Sequence, residues 1–151
     1  MDSAAALIDL CRERLPLERW IVDDMRRLDL KEHFAGLIAW DSFFHLSKGD
    51  QPAMFAVFAA HAAPGAALMF TSGPADGEAI GELFGEPLHH ASLSPETYRA
   101  LLTRHGFEVV AFTPEDRTCG GRSVWLARNA TVTEADAGAS RTPSDGDEAT
   151  E

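Results

Sequence analysis

Acidic residues stand at three points of this 151-residue sequence where a strand would end: Asp2, the pair Asp23-Asp24 after Trp20-Ile21-Val22, and Asp41-Ser42 after Leu37-Ile38-Ala39-Trp40. Short continuous apolar runs of this kind read as strands buried on both faces of a parallel sheet. In open α/β sheets the ligand crevice lies outside the carboxyl ends of the strands. A carboxylate there can accept two charge-assisted hydrogen bonds from a ribose diol. A second acid one strand further out can reach the exocyclic amine of an adenine. The plainer alternatives are solubilising acids at strand ends and, for Asp2, a charge that complements a helix N-terminus.

Other reactive residue types carry less. His89 and His90 are adjacent, so their side chains point apart, and no cluster has zinc-like spacing; no metal is expected. Cys119 lies in a glycine-rich turn with no base beside it in sequence and reads as an inert thiol. With Cys11 it makes two free cysteines rather than a disulfide. No GxSxG elbow is present, which argues against an α/β hydrolase.

The elements that must position these residues follow from caps and periodicity. Residues 3–14 read as a helix opened by Asp2-Ser3, and residues 47–63 as a helix capped by Ser47 and stopped by Pro64-Gly65. Residues 94–106 form the best-punctuated helix, with Ser94 at the cap, Pro95 in the first turn and Gly106 at the stop. Between them, WIVDDM, GLIAWDSF and AALMFTSG read as strands, and FEVVAFTPED and RSVWLAR as a closing pair joined without a helix. Alternating strands and helices mean an α/β sheet with helices on its faces, and the last two strands an antiparallel hairpin. Residues 73–93 read as a loop.

Composition sets the class. An apolar fraction of 45% fits a globular protein, and no run is long enough to span a membrane. The net charge of −11 argues against a nucleic-acid partner. Neither a signal peptide nor a membrane anchor is recognisable, so a cytoplasmic location is expected. Close to half of the excess charge falls after Thr131, in a run almost without large apolar residues. Two regions result: a domain over residues 1–128 and a disordered acidic tail over 129–151.

Taken in order, MDSAAALIDLCRERLP, WIVDDM, FAGLIAWDSFFHL, APGAALMFTSG and HGFEVVAFTPED…GGRSVWLAR resemble the class I (Rossmann-like) S-adenosylmethionine-dependent methyltransferases over residues 1 to about 128. The last segment looks like the reversed hairpin that separates that fold from dehydrogenases. The resemblance implies S-adenosylmethionine as cofactor and a small-molecule acceptor. Asp2 would hold the ribose hydroxyls, and Asp24 with the backbone of Met25 would face the adenine. Trp40 and Asp41 would lie beside the methionine moiety. Phe43, Phe44 and His45 would line the acceptor pocket, with His45 the candidate base if the acceptor must lose a proton, or else a hydrogen-bonded structural histidine. His89 and His90 would lie on a loop over the acceptor side.

One departure bears on all of this. The family's first strand and its GxGxG loop, which lets backbone approach the cofactor, have no counterpart in these residues. The resemblance therefore implies an amino-terminally truncated form with weak or no activity. The family's sheet runs 3-2-1-4-5-7-6, so the missing strands are the central pair. We expect a partial Rossmann-like sheet in which WIVDDM slides to pair directly with GLIAWD, giving 3-4-5-7-6. The alternative is that a second copy or a partner chain fills the exposed edge. That edge also motivates a second functional reading, a non-catalytic subunit that uses the methyltransferase sheet as an interaction surface.

Overall fold

The structure is a computed structural model that describes residues 1–131. The proposed acidic tail therefore lies, from residue 132 onward, outside the described residues. In chain order the elements are α1 (Ala5–Arg14), β1 (Phe34–Ala39), α2 (Gln51–His61), β2 (Ala62–Ser72), β3 (Gly77–Leu83), β4 (Glu86–Ser92), α3 (Pro95–Arg104), β5 (Phe107–Asp116) and β6 (Arg122–Asn129). Short 3-10 turns cover Met25–Arg27, Phe43–His45 and Arg117–Cys119.

Four strands form one sheet in the order β1-β2-β6-β5. β1 runs parallel to β2, whereas β6 is antiparallel to both β2 and β5. A parallel pair continued by a reversed hairpin is the α/β arrangement expected, and corresponds to the 4-5-7-6 portion of the expected order. The leading member differs. Trp20–Met25 does not join the sheet; its one ladder contact is a parallel bridge between Val22 and Asp2. Residues 26–33 between it and β1 are fewer than the roughly dozen or more that a parallel crossover takes. The segment is instead turned away when Asp24 caps the Met25–Arg27 turn by accepting from the Arg26 amide. β1 is thus an edge strand, with Ile38 75% exposed.

The other elements differ from expectation in their ends. Ser47 caps a turn rather than a helix: its Oγ accepts from the Asp50 amide at 3.2 Å, and α2 starts afterwards at Gln51. Pro64-Gly65 does not stop α2 but lies within β2, where Gly65 takes φ 75° at the irregularity in the β1–β2 register. α3 matches its punctuation: the Ser94 hydroxyl accepts from the Thr97 amide at 3.2 Å. Residues 73–93 contain a separate two-stranded sheet, β3–β4, whose Phe84-Gly85 turn has positive φ at both residues (53° and 84°). That is the requirement of a type I′ hairpin turn.

α2 and α3 supply the helical side of the core. Phe43, Phe55, Phe70, Tyr98 and Trp125 are at most 1% exposed and meet edge to face, tilted or stacked at ring separations of 5.5 to 6.2 Å. Along β6 the alternate residues Ser123, Trp125, Ala127 and Asn129 are the buried ones, the period-2 signature of a strand with one covered face. The polar members are satisfied: Asn129 donates to the Ala62 and Ala63 carbonyls, and the Trp125 indole to Ser72 Oγ at 3.0 Å.

Candidate functional site

Two clefts open beside the strand ends. The first, about 520 Å³, lies between the β1 edge and the amino-terminal segments; Asp2, Asp23, Asp24 and Asp41 line it with Met54 and His45. The second, about 480 Å³, is formed by the ends of β2 and β4 with Phe44, Glu78, His90 and Arg122. Both volumes lie in the range of small-molecule sites.

At the outer wall of the first cleft the chain is fastened by backbone bonds from the Asp2 amide to the Ile21 carbonyl (3.2 Å) and from the Asp23 amide to the Asp2 carbonyl (3.1 Å). Asp2 Oδ1 accepts from the Ala4 amide at 2.8 Å, opening α1; its other carboxylate oxygen has no partner among the described residues. Asp23, passed over as a site residue from the sequence, lines the same wall, with Oδ1 accepting from the Asp24 amide at 2.7 Å. Asp24 is already engaged. Arg26 donates to both of its oxygens, at 2.6 to 3.1 Å, and these bonds hold the carboxyl down to about 2. Met25 lines the cleft next to it.

At the inner end, Asp41 follows β1 in a left-handed conformation (φ 45°). Its amide donates to buried Thr71 Oγ1 at 2.9 Å, and its carboxylate accepts from Arg122 Nε. Arg122 also donates to the Cys119 carbonyl at 2.7 Å. Asp41 lines the first cleft and Arg122 the second, so this ion pair ties the two together. Trp40, 40% exposed, is outside the residues that line either cleft.

The 3-10 turn Phe43–His45 sorts three consecutive residues into three roles. Phe43 is fully buried in the aromatic core, against Phe55, Phe58, Phe70 and Tyr98; the expectation that it lines an acceptor pocket is corrected, because that turn points it at the sheet. Phe44 lines the second cleft and His45 the first. Phe44, His45 and His90 form a ring cluster with centroids 4.7, 4.9 and 5.2 Å apart. His89 and His90 lie on strand β4 rather than a loop, so they face opposite ways. His90 lines the second cleft, whereas His89 turns its ring toward Glu78 at 3.7 Å.

Two histidines of the first cleft differ in what they can do. His61, 4% exposed, has both nitrogens engaged, Nδ1 with the Val57 carbonyl at 2.8 Å and Nε2 accepting from the Leu30 amide at 3.0 Å. It is a structural residue. His45 Nδ1 lies 2.9 Å from the His89 carbonyl oxygen. A carbonyl only accepts, so Nδ1 carries the proton and Nε2 of the neutral ring holds the lone pair. His90 is held below the usual histidine value, first by burial and then by neighbouring His45 and His89, against an opposing pull from Asp41.

Gln51, fully buried, fixes this arrangement from behind. Its amide nitrogen donates to the Leu46 carbonyl (3.0 Å) and the Ala91 carbonyl (2.9 Å), the residues that follow His45 and His90, and its oxygen accepts from the Tyr98 hydroxyl at 2.7 Å. Among the described residues no group of three or more metal-ligating side chains comes together, and no helix is long and apolar enough to cross a membrane.

No family model matches the chain, and no curated protein matches it. Solved structures do. The glycopeptide N-methyltransferase MtfA, in complex with S-adenosyl-L-homocysteine, superposes with a TM-score of 0.64 at 17% identity over 83% of this chain and 70% of its own. The amino pentose methyltransferase CalS10 from Micromonospora echinaspora, with S-adenosylmethionine bound, gives 0.66 at 20% identity over 83% and 71%. An S-adenosylmethionine-dependent methyltransferase from Clostridium acetobutylicum gives 0.67 at 10% identity over 85% and 73%. The chain has the Rossmann-like fold of the class I methyltransferases.

Proposed function

We propose that this chain is an S-adenosylmethionine-dependent methyltransferase acting on a small-molecule acceptor. The observation that carries the reading is a pair of neighbouring clefts at the strand ends, one rimmed by carboxylates and one lined by rings, with a base-competent His45 where they approach. Of the similar structures named above, MtfA holds the demethylated product and CalS10 the cofactor.

The residues present fit the cofactor in the first cleft. Leu37, Ala39, Met54 and Phe58 give it an apolar floor, and Asp2 offers an open carboxylate oxygen at its rim. When bound, the cofactor supplies an electrophilic methyl group on a sulfonium. Asp2 would accept from the ribose hydroxyls and Met25 would flank the adenine. Asp24 would serve there only once Arg26 is displaced, which is a reason to expect slow turnover. Asp41, pinned by Arg122, would face the methionine moiety; Trp40, outside the cleft, would not. Phe44 and His90 would hold the acceptor, and His45 Nε2 would take its proton. Positioning does most of the catalytic work in such a transfer.

Calorimetric titration of the purified chain with S-adenosylmethionine and S-adenosylhomocysteine tests this reading. Saturable binding, weakened about tenfold or more in Asp2→Ala through loss of charge-assisted hydrogen bonds, is the expected result. A chain that circular dichroism shows to be folded, but that gives no binding heat, would reject it. The open β1 edge then favours the second reading, a non-catalytic subunit whose sheet pairs with a partner or a second copy; light scattering and pull-down test that directly.

A further inference from the structure

We propose that the outer edge of β3 is a docking site for an extended basic peptide segment. The segment adds to the β3–β4 hairpin as an antiparallel third strand, with cationic side chains opposite Glu78 and Glu82 and an apolar one opposite Ile80. This goes beyond the methyltransferase reading and does not depend on it.

β3 and β4 form a sheet of their own beside the main one, and two strands alone are marginal in water. The far edge of β4 is closed by side chains from the body of the protein. His45 Nδ1 donates to the His89 carbonyl at 2.9 Å, and the Gln51 amide nitrogen to the Ala91 carbonyl at 2.9 Å. Carbonyls turned to that side do not point at β3. The directly opposite pairs Ile80–His89 and Glu78–Ala91 are therefore the non-hydrogen-bonded ones of the ladder. By the same alternation, Glu78, Ile80 and Glu82 turn their N–H and C=O groups to the outer edge. Among the described residues no strand pairs with that edge, and every β3 residue except Gly81 is exposed.

Charge decides which strand fits. Glu78, Ile80 and Glu82 share one face by the two-residue period of a strand, so the edge shows acid, apolar and acid in turn, with Ile80 76% exposed. Glu82 has no ion pair among the described residues, and Glu78 has His89 at 3.7 Å, which counts only when that ring is protonated. From Gly73 to Leu93 the chain holds Asp76, Glu78, Glu82 and Glu86 and no Lys or Arg; Lys48 reaches Asp76 alone. A second copy fits badly. Antiparallel pairing of two β3 strands about Ile80 sets Glu78 of one copy opposite Glu82 of the other, and like charges directly opposite are destabilising. A basic strand makes both contacts attractive, while its backbone completes the ladder. Gly77, Glu78 and Ala79 also line the second cleft, so a segment bound here runs up to that opening.

Amide-resolved NMR titration of the full chain with the peptide acetyl-Thr-Lys-Thr-Val-Thr-Lys-Thr-amide tests the assignment without any cofactor. Saturable binding is expected, at least about tenfold tighter than for the same peptide with Glu in place of both Lys, since two cross-strand attractions replace two repulsions. The Glu78, Ile80 and Glu82 amides should shift and exchange more slowly, whereas those of β1, an uncharged open edge, should not move. Methylating the Val nitrogen of the peptide should abolish binding, because its charge stays and its ladder bond is lost. Glu78→Gln combined with Glu82→Gln, at two exposed side chains, should remove most of the preference for lysine. No saturable binding, equal binding of the N-methylated peptide, a preference kept in the double variant, or shifts confined to another edge would overturn the proposal. So would β3 shifts that grow with protein concentration alone, which would assign the edge to a second copy.

Discussion

The Arg122 guanidinium grips the Asp41 carboxylate across 81 positions of sequence, joining a residue of the second cleft to one of the first. The grip has to overcome an unfavourable backbone, since Asp41 sits at φ 45°. Aspartate tolerates that region better than most residues, and glycine better still. Asp41→Ala and Asp41→Gly both lose the carboxylate, but only alanine keeps the steric penalty. Asp41→Ala should therefore be the less stable by about 1 kcal/mol, read by urea denaturation. Equal stability would mean that the loop relaxes freely.

Phe43 and Phe44 are neighbours with separate duties. Phe43→Ala empties a fully buried site and should cost about 3–5 kcal/mol in chemical denaturation. Phe44→Ala should leave stability within about 1 kcal/mol while weakening any ligand of the second cleft. The reverse pattern would move the acceptor wall back to Phe43.

Gln51 is the clearest test of how the two histidines are held. Gln51→Leu strips hydrogen bonds from the Leu46 and Ala91 carbonyls and from the Tyr98 hydroxyl. The expected cost is about 3 kcal/mol, since each buried polar group left unpaired costs roughly 1–3. Combined with Tyr98→Phe, the loss should fall short of additivity by about 1 kcal/mol. A strictly additive double mutant would show that the two side chains act independently.

Acid should loosen the fold in two separate windows. His90 is depressed below its ordinary 6.5 in the folded chain, mainly by burial. Below that value the unfolded chain binds the proton more readily, so stability falls as pH drops from about 6.5 toward the folded value. Asp24, Asp29 and Asp116 are shifted down by hydrogen bonds to neighbouring side chains, and Glu96 by one to its own amide. Their contribution is present above the usual carboxylate range and is lost only as pH falls below it. Melting temperatures taken at intervals from pH 7.5 to 3 should decline in both windows. His90→Phe should flatten the upper one and leave the lower unchanged.

What the sequence discloses depends on how local the signal is. α3 is legible because Ser94, Pro95 and Gly106 are neighbours of the helix they delimit, and the β5–β6 hairpin because two apolar runs flank a Gly-Gly turn. The β3–β4 hairpin is hidden by its Phe84-Gly85 turn, where an Asn-Gly would have announced it. Trp20–Met25 has a strand's composition, yet too short a connection to reach β1, and one bridge to Asp2 is all it forms. The acids at the strand ends were readable as positions, but not their partners. Arg26, two residues from Asp24, is a partner that local spacing can suggest. Arg122 is not, for nothing in the intervening chain marks it as the mate of Asp41. The division of labour within Phe43–His45 needed the pitch of a 3-10 turn, which no periodicity in three residues can reveal.

β6 lies between β2 and β5 although it follows both in the chain. Synthesis thus delivers one interior strand after both of its neighbours. From the moment β2 leaves the ribosome, the edge carrying Leu68 and Phe70 waits for Trp125 and Ala127 while residues 73–121 are made, roughly several seconds at ordinary elongation speed. During that interval a growing chain presents an open apolar strand that the finished molecule never shows. The order of its strands gives the nascent chain an aggregation hazard that the folded one does not share.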